Sequence, residues 1–292
     1  MSTASRLRTQ LRNADPQRVG EVAGFYGSIA LLCLISFFPV LWVLRTSIIP
    51  ATEIIQFPVQ YFPRLDQVTL ENYRTAIGQA PFARYLFNSL VVASGTAIIC
   101  VGLGSMAGYA LSRLEFRFKL YVLMLILVSA MLPFFGRLIP LFSLARETGF
   151  LNSYLGLIIP YSAFQLPLAV WIFQAYFKEL PDSLEEAGLI DGLTHIGVLF
   201  RIILPVSAPA MATTAIIVFI FAWNEFLFAL TFMTEQDMRT ITVGIALYQG
   251  EYSYPWATIS AAVFMSILPL IMLILFFQRK IIEGLTSGVG KG

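Results

Sequence analysis

The sequence predicts an all-α polytopic membrane protein with six transmembrane helices. Of the 292 residues, 58% are apolar and only 12% are charged, whereas soluble domains are ~45–50% apolar and ~25% charged. Six long apolar runs alternate with polar segments, and a helix needs ~20 mostly apolar residues to cross the hydrocarbon core. The formal net charge of +2 is too small to favour a nucleic acid partner.

The six apolar runs define the predicted domain organisation. The first run is expected to be a retained span, because it is longer than the ~7–15 apolar residues of a signal peptide and no small-residue cleavage site follows it. Proline and glycine occur inside several runs, which bundled membrane helices tolerate. The predicted spans are 22–44, 85–111, 120–142, 154–177, 208–233 and 256–277.

The segments between these spans predict the orientation. Positively charged loops stay in the cytoplasm, and twelve of the 19 Lys and Arg residues fall in the tail 1–21, the loops 112–119 and 178–207, and the tail 278–292. Both termini are therefore expected on the cytoplasmic side. The long loop 45–84 then lies outside, and the core of the protein is predicted to be 85–277.

The loop 178–207 is the most polar part of this core and carries the signals of a first short helix. Ser183 is followed three residues later by Glu186, the spacing of a capping box in which each side chain satisfies the other's backbone amide. The sequence predicts a helix over 184–190. Its Ala187 and Gly188 lie on one face and allow close approach of a partner.

The signals of a turn and a second helix follow directly. Asp191 and Gly192 form a turn dipeptide, with glycine suited to the left-handed conformation that ends a helix. Thr194 is a candidate N-cap for a helix through Ile203, which Pro205 is expected to end before the fifth span. Helix signals alone leave two interpretations equally open: a solvated connector, or a hairpin that docks in a groove of a cytoplasmic partner.

A motif within this loop carries a family resemblance. Residues 186–192 read EAGLIDG, and after nine further residues 202–205 read IILP. This closely resembles the EAA loop of ABC importer permeases, E-A-A-x-x-D-G, nine residues and I-x-L-P, with Gly188 where the second alanine is usual. The segment WNEF at 223–226 and the C-terminal GLTSGVGKG resemble the carbohydrate-importing branch, in particular the shorter maltose-transporter-type permease.

The resemblance implies a type I ABC importer fold, with this chain as one pore-forming half and both termini cytoplasmic. It implies four kinds of partner: a second permease, two ATP-binding subunits, an extracytoplasmic substrate-binding protein and the lipid bilayer. ATP and magnesium would be bound by the ATPases, and no cofactor by this chain. The implied contacts with the ATPases are Ser183, Glu185, Glu186, Ala187, Gly188, Asp191, Gly192, Leu204 and Pro205 in the loop, and Gly284, Leu285, Thr286 and Lys291 in the tail.

Polar residues inside the apolar runs are candidates for the substrate path. Glu225 and Arg137 are intramembrane charges, which are costly and usually face a partner or an interior. Three interpretations of Glu225 stay open: an ion pair with Arg137, lining of the sugar path, or another structural contact. Asn224 and Gln165 are candidates for hydrogen bonds to sugar hydroxyls.

Other functional classes are less consistent with the sequence. No Walker A motif is present, because the tail's GVGKG lacks both the spacing and the Ser or Thr that holds magnesium. His195 is expected to be a surface residue, and no metal cluster or catalytic constellation stands out. The alternatives are an ABC permease for a non-sugar solute and, against the loop motif, an autonomous secondary transporter.

Overall fold

Helices make up the regular structure of the computed structural model, which describes residues 16–54, 56–57, 61–79, 81–248 and 255–286. Within those ranges there is no β-strand. Among the described residues, four helices are long and apolar enough to cross a membrane, and the number reaches six if each of two sharply bent helix pairs is one span. The predicted helical architecture is therefore present, but the helices at the third and fifth predicted spans belong to sharply bent pairs.

The chain falls into two compact units, the first formed by residues up to Tyr73 together with Pro255–Phe264. Its main element is α1 (Pro16–Ser47), in which residues 24–42 are all exposed. Asn72 Nδ2 donates to the carbonyl oxygens of Ser47 at 2.9 Å and Ile49 at 2.8 Å. These bonds tie the end of α1 and the residues just after it to the first turn of α2 (Glu71–Gln79).

The second unit, Arg74–Tyr254 and the residues from Met265, is built on α3 (Phe82–Arg113) and α6 (Tyr154–Glu179). Glycines of α3 let the two helices meet at backbone distance: a Cβ at Gly104 would lie 2.8 Å from Ala169 Cβ, and one at Gly108 2.6 Å from Phe173 Cβ. Gly104 and Gly108 are four residues apart, the GxxxG spacing that permits close helix packing, and here they serve a helix contact inside this chain.

The third predicted span, 120–142, is broken. Helix α4 (Lys119–Met131) and the helical segment Phe135–Thr148, which includes α5 (Leu138–Thr148), meet at 92°. Leu132 at the break is extended, with φ −62° and ψ 134°. The following Pro133 explains this conformation, because a residue before proline is driven out of the helical region.

The loop 178–207 forms a helical hairpin, which we call the hairpin below. It contains α7 (Ser183–Ile190), α8 (His195–Val198), a π-helical turn (Leu199–Ile203) and α9 (Leu204–Val206). The prediction that Pro205 ends the second helix is wrong, because the helix continues past it and bends by 82° only between Val206 and Ala208. The widened turn just before Pro205 relieves the clash that proline makes with the preceding turn.

The last elements lie beyond this bend. Helix α10 (Ala208–Asn224) ends earlier than the predicted 233, and α11 (Leu227–Phe232) follows a break at Glu225. The remaining helices are α12 (Ile241–Ala246) and α13 (Trp256–Thr286).

Candidate functional site

The hairpin begins one residue earlier than the capping-box pattern predicted. Asp182, not Ser183, precedes the first helical residue, and the amides of Glu185 and Glu186 already bond to its carbonyl oxygen at 3.0 and 3.1 Å. Ser183 thus lies inside the first turn, so the predicted capping box is wrong. Asp182 instead forms an ion pair with Arg113 at the end of α3.

The turn and the second cap of the hairpin are as predicted. Gly192 has φ +82°, which a residue with a Cβ rarely adopts. Thr194 Oγ1 accepts a hydrogen bond from the Gly197 amide at 3.2 Å and so caps α8. Short-range signals were sufficient here because turn and cap each depend on two or three neighbouring residues.

Gly188 faces inward rather than toward a partner. A Cβ at this position would lie 2.6 Å from Ile202 Cδ1 and 2.9 Å from Val198 Cγ2. The glycine therefore lets the two helices of the hairpin pack together. The predicted small face for a partner does not include it, whereas Ala187 on the same helix is exposed.

The hairpin is anchored by an apolar core that it shares with the ends of α3 and α6. Val198 and Ile203 are fully buried there against aromatic side chains of both helices. Leu204 is partly buried against the same core, and Pro205 is exposed. The buried members of this core are Tyr109, Phe173, Phe177, Val198, Leu199, Ile203 and Ala210.

The outer surface of the hairpin carries large exposed apolar side chains. Ile190 is 84% exposed and Ile196 66% exposed. Among the predicted contact residues, exposed side chains belong to Ser183, Glu186, Ala187, Asp191 and Pro205. Glu185 does not share this surface, because its side chain is only 13% exposed and its carboxylate faces Tyr109 and Arg113.

Glu225 caps a helix and does not pair with Arg137. Its Oε1 accepts from the Phe228 amide at 3.0 Å, and its Oε2 from the Ala229 amide at 3.1 Å and from the hydroxyl of Tyr161. A carboxylate at these orphan amides also faces the positive end of the α11 dipole. Of the three interpretations, the structure favours the structural contact.

Arg137 caps a helix end of opposite polarity. Its Nη2 donates to the carbonyl oxygens of Ser129 at 2.8 Å and Leu132 at 2.5 Å, at the C-terminus of α4. The guanidinium also lies 4.9 Å from the ring centroid of Phe164. The ion pair, one of the three interpretations left open for Glu225, is therefore not the one that the structure supports. The two opposite charges occur within apolar runs because two broken helices each expose a terminus, and not because the charges meet.

The remaining candidate path residues lie apart from these caps. Asn224 is exposed and donates to the Ile220 carbonyl oxygen at 2.8 Å. Gln165 is half-buried on α6 and has no hydrogen bond to the described residues. A mainly apolar cavity of about 620 Å³ has Arg137 in its wall, but not Asn224, Glu225 or Gln165.

Comparison with known proteins identifies the family. Residues 100–285 match the model of the binding-protein-dependent transport system inner membrane component. This chain belongs to that family. The resemblance that the loop motif suggested is confirmed, and the permease is a multi-pass protein of the plasma membrane.

Relatives of this permease are themselves described as permeases. It is 39% identical over 90% of its length to a sulfoquinovosyl glycerol transport system permease of Agrobacterium fabrum, 92% of which is covered. It is 40% identical over 90% of its length to a trehalose/maltose transport system permease of Thermococcus litoralis, 94% of which is covered. A trehalose permease of Mycobacterium tuberculosis is 38% identical, with 87% and 92% covered.

A solved structure shares the fold of the permease. A chain of a bacterial ABC transporter involved in import of the acidic polysaccharide alginate superposes with a TM-score of 0.77. The match covers 91% of the permease and 99% of that chain at 20% sequence identity. The predicted fold class, an all-α polytopic membrane protein of the type I ABC importer fold, is confirmed.

Polar residues at the other ends of α3 and α6 form a second bonded network, which the sequence did not reveal as such. Asn88 Nδ2 donates to the carbonyl oxygens of Asp237 at 2.8 Å and Arg239 at 2.9 Å, and its Oδ1 accepts from Tyr154 Oη at 2.8 Å. Asn152 Oδ1 accepts from the Glu235 amide at 3.0 Å. These bonds hold the segment after α11 in place. The residues that make them are far apart in the sequence, so only the folded structure shows that they form a network.

Tyr248, two residues after α12, is buried. The hydroxyl of Tyr248 donates to the Ala76 carbonyl oxygen, and burial raises the pKa of this phenol, so the group remains a donor at neutral pH.

Of the predicted tail contacts, Gly284, Leu285 and Thr286 lie in the last turn of α13. Lys291 lies outside the described residues.

Proposed function

We propose that this permease is one half of a sugar importer driven by ATP hydrolysis on partner subunits, and that an ATPase grips it at the hairpin. The observation that carries the proposal is the exposed apolar tip formed by Ile190 and Ile196. Large apolar side chains at the tip of a polar segment are typical of a helix that docks in a groove of a partner.

The proposed assembly contains a second permease chain, two ATP-binding subunits and an extracytoplasmic binding protein. The hairpin and both termini face the cytoplasm, as the distribution of Lys and Arg supports. ATP and magnesium bind to the ATPases, and this chain binds no cofactor and catalyses no hydrolysis. The tail residues Gly284 to Thr286 and Lys291 are proposed to reach the same ATPases.

The geometry suggests how ATP hydrolysis moves the spans. The hairpin shares its buried core with the ends of α3 and α6, and these helices pack at backbone distance through Gly104 and Gly108. Closure of the ATPases displaces the hairpin, and the tightly packed pair follows as one body because close-packed interfaces transmit displacement rather than absorb it. The permease halves then alternate between inward-facing and outward-facing states.

The proposed cargo is a di- or oligosaccharide or a related glycoside or polyol. The names of the relatives, which refer to sulfoquinovosyl glycerol, trehalose and maltose, support this class. Sugar hydroxyls need polar partners along the path, and we assign Gln165 and Asn224 this role, since both have hydrogen-bonding capacity to spare. Glu225 and Arg137 shape the helix breaks of the path instead.

Reconstitution tests this function. The importer would be assembled in proteoliposomes from this chain and a partner permease, an ATPase and a binding protein, sought among the neighbouring genes. Radiolabelled trehalose, maltose, diacetylchitobiose and glycosylglycerol form one panel, and amino acids and inorganic anions form another. We expect ATP-dependent accumulation of at least one panel sugar, abolished without the binding protein.

Two outcomes would contradict the proposal. Uptake driven by a proton or sodium gradient in the absence of ATPase would indicate an autonomous secondary transporter. ATP-dependent uptake confined to the non-sugar panel would indicate an ABC permease for another solute.

A further inference from the structure

The hairpin contains one carboxylate that points away from its exposed surface. Glu185 has a side chain only 13% exposed, whereas the next residue, Glu186, is exposed. Glu185 Oε1 accepts a hydrogen bond from Tyr109 Oη at 2.6 Å and lies 3.1 Å from His195 Nδ1. The resemblance to the EAA loop grouped Glu185 with the partner contacts, but its geometry directs it into its own chain.

A buried arginine completes this group of side chains. Arg113, the last residue of α3, is 7% exposed at its side chain, and its Nε lies 3.8 Å from Glu185 Oε2. Its Nη1 pairs with Asp182 at the start of the hairpin. Its Nη2 donates to the carbonyl oxygens of Phe177 at 2.7 Å and Leu180 at 2.5 Å.

One guanidinium thus joins three elements. The two carbonyl oxygens belong to the C-terminal end of α6, where helix carbonyls lack intrahelical partners. Asp182 immediately precedes α7 and Glu185 lies in its first turn, whereas Arg113 itself belongs to α3. We call Tyr109, Arg113, Asp182 and Glu185 the Glu185 cluster.

The connectivity of the chain gives this cluster its significance. Helix α6 is joined to the hairpin covalently through residues 180–182, and α10 is joined to it on the other side. Helix α3 has no covalent connection near the hairpin, so any movement of the hairpin reaches α3 through non-covalent contacts alone. The apolar contacts of the shared core are non-directional, whereas charge-assisted hydrogen bonds are directional and roughly twice as strong as neutral ones.

We propose that the Glu185 cluster is a polar link that, in addition to the packing between α3 and α6, transmits movement of the hairpin to α3, with Glu185 and Arg113 as positioning residues that touch neither sugar nor ATP. This inference rests on the proposed function, because it assumes an ATPase that moves the hairpin. It assigns different contacts to the two faces of the hairpin: the outer face binds the ATPase, and the inner face binds α3.

The test uses the complete importer with Glu185→Gln, which keeps the size of the side chain and removes its charge. The matched control is Glu179→Gln, an exposed glutamate at the end of α6. Two quantities are measured: the amount of ATPase that co-purifies with the permease, and the number of molecules of the imported panel sugar per ATP hydrolysed. The second quantity is a ratio of two rates measured on the same sample, so a change in expression or stability alone does not alter it.

We expect Glu185→Gln to retain the ATPase at the wild-type ratio while sugar imported per ATP falls about tenfold, the effect of weakening one buried charged hydrogen bond. Glu179→Gln should match the wild type in both quantities. Tyr109→Phe, which removes one hydroxyl and keeps the ring, should also lower sugar per ATP. Its effect should not add fully to that of Glu185→Gln, because both changes act on the same hydrogen bond.

The outcomes separate this inference from the function on which it rests. Unchanged sugar per ATP in Glu185→Gln, or additive effects of the two variants, would overturn the link. Loss of the ATPase in Glu185→Gln would also overturn it, since the carboxylate would then belong to the docking surface. If the wild-type permease itself retains no ATPase and imports no sugar, the proposed function fails, and the link with it.

Discussion

Gly188→Ala tests the packing inside the hairpin, because two opposing effects predict opposite signs. Alanine is more favourable than glycine in a helix by about 1 kcal/mol, and it restores the residue usual in the EAA motif. The added Cβ, however, would lie 2.6 Å from Ile202 Cδ1 and 2.9 Å from Val198 Cγ2. Overpacking of a core costs about 1–3 kcal/mol, and the fully buried, branched Val198 cannot move away cheaply.

We therefore expect Gly188→Ala to destabilise the hairpin by about 1 kcal/mol net, the balance of overpacking against helix propensity. Thermal unfolding of the purified importer and its binding-protein-stimulated ATP hydrolysis measure this effect. Ile202→Val in the same background removes the Cδ1 atom and should restore most of the loss.

The matched control lies in the second helix of the hairpin. A Cβ at Gly197 would approach other atoms no closer than 3.5 Å, so Gly197→Ala should be neutral or stabilising. If Gly188→Ala is as stable as Gly197→Ala, and Ile202→Val brings no rescue, the inward assignment of Gly188 is refuted.

Three further comparisons between variants test the helix contact and the two helix caps, each by thermal unfolding of the importer. Gly108→Ala should destabilise by about 1–3 kcal/mol through overpacking against α6, whereas Gly102→Ala, with open space around its Cβ, should not; equal effects would remove the case for a close α3–α6 contact. Glu225→Ala should cost about 3 kcal/mol, because two amides and the hydroxyl of Tyr161 lose their buried acceptor, and Glu225→Gln should cost less than half as much; equal losses would argue against the cap. Glu225→Gln and Arg137→Gln should be additive within about 0.5 kcal/mol, as expected for groups without a shared partner, and a large coupling energy would restore the ion pair.

The sequence was sufficient for features that depend on a few neighbouring residues. The turn at Gly192 and the cap at Thr194 follow from local backbone chemistry. The apolar runs likewise predicted where long helices begin, as for α6, which starts at the predicted residue 154. The spacing of the EAA motif was specific enough to predict the family.

Features that depend on tertiary neighbours were beyond the sequence. An ion pair between Glu225 and Arg137 was one interpretation because opposite charges in apolar runs attract. In the structure Glu225 bonds to backbone amides, and Arg137 to carbonyl oxygens, at helix ends that the breaks create. Pro133 explains the break after Met131, but Pro160 and Pro167 lie inside the unbroken α6. A proline in an apolar run therefore does not by itself predict a break. The inward orientation of Glu185 depends on Arg113, which is distant in sequence, and that of Gly188 depends on Ile202 in the second helical part of the hairpin.

Cross-linking from single cysteines tests the central claim, that an ATPase grips the outer face of the hairpin, most directly. The two free cysteines, Cys33 and Cys100, would be replaced by serine and alanine, and Ile190→Cys and Glu179→Cys introduced separately into the assembled importer. We expect a short cross-linker that is attached to the introduced thiol and carries a photoreactive group at its other end to link Ile190→Cys to the ATPase. The yield should change when ATP binds, and Glu179→Cys should give little product. An importer that transports sugar while Ile190→Cys yields no ATPase cross-link in any nucleotide state would contradict the claim.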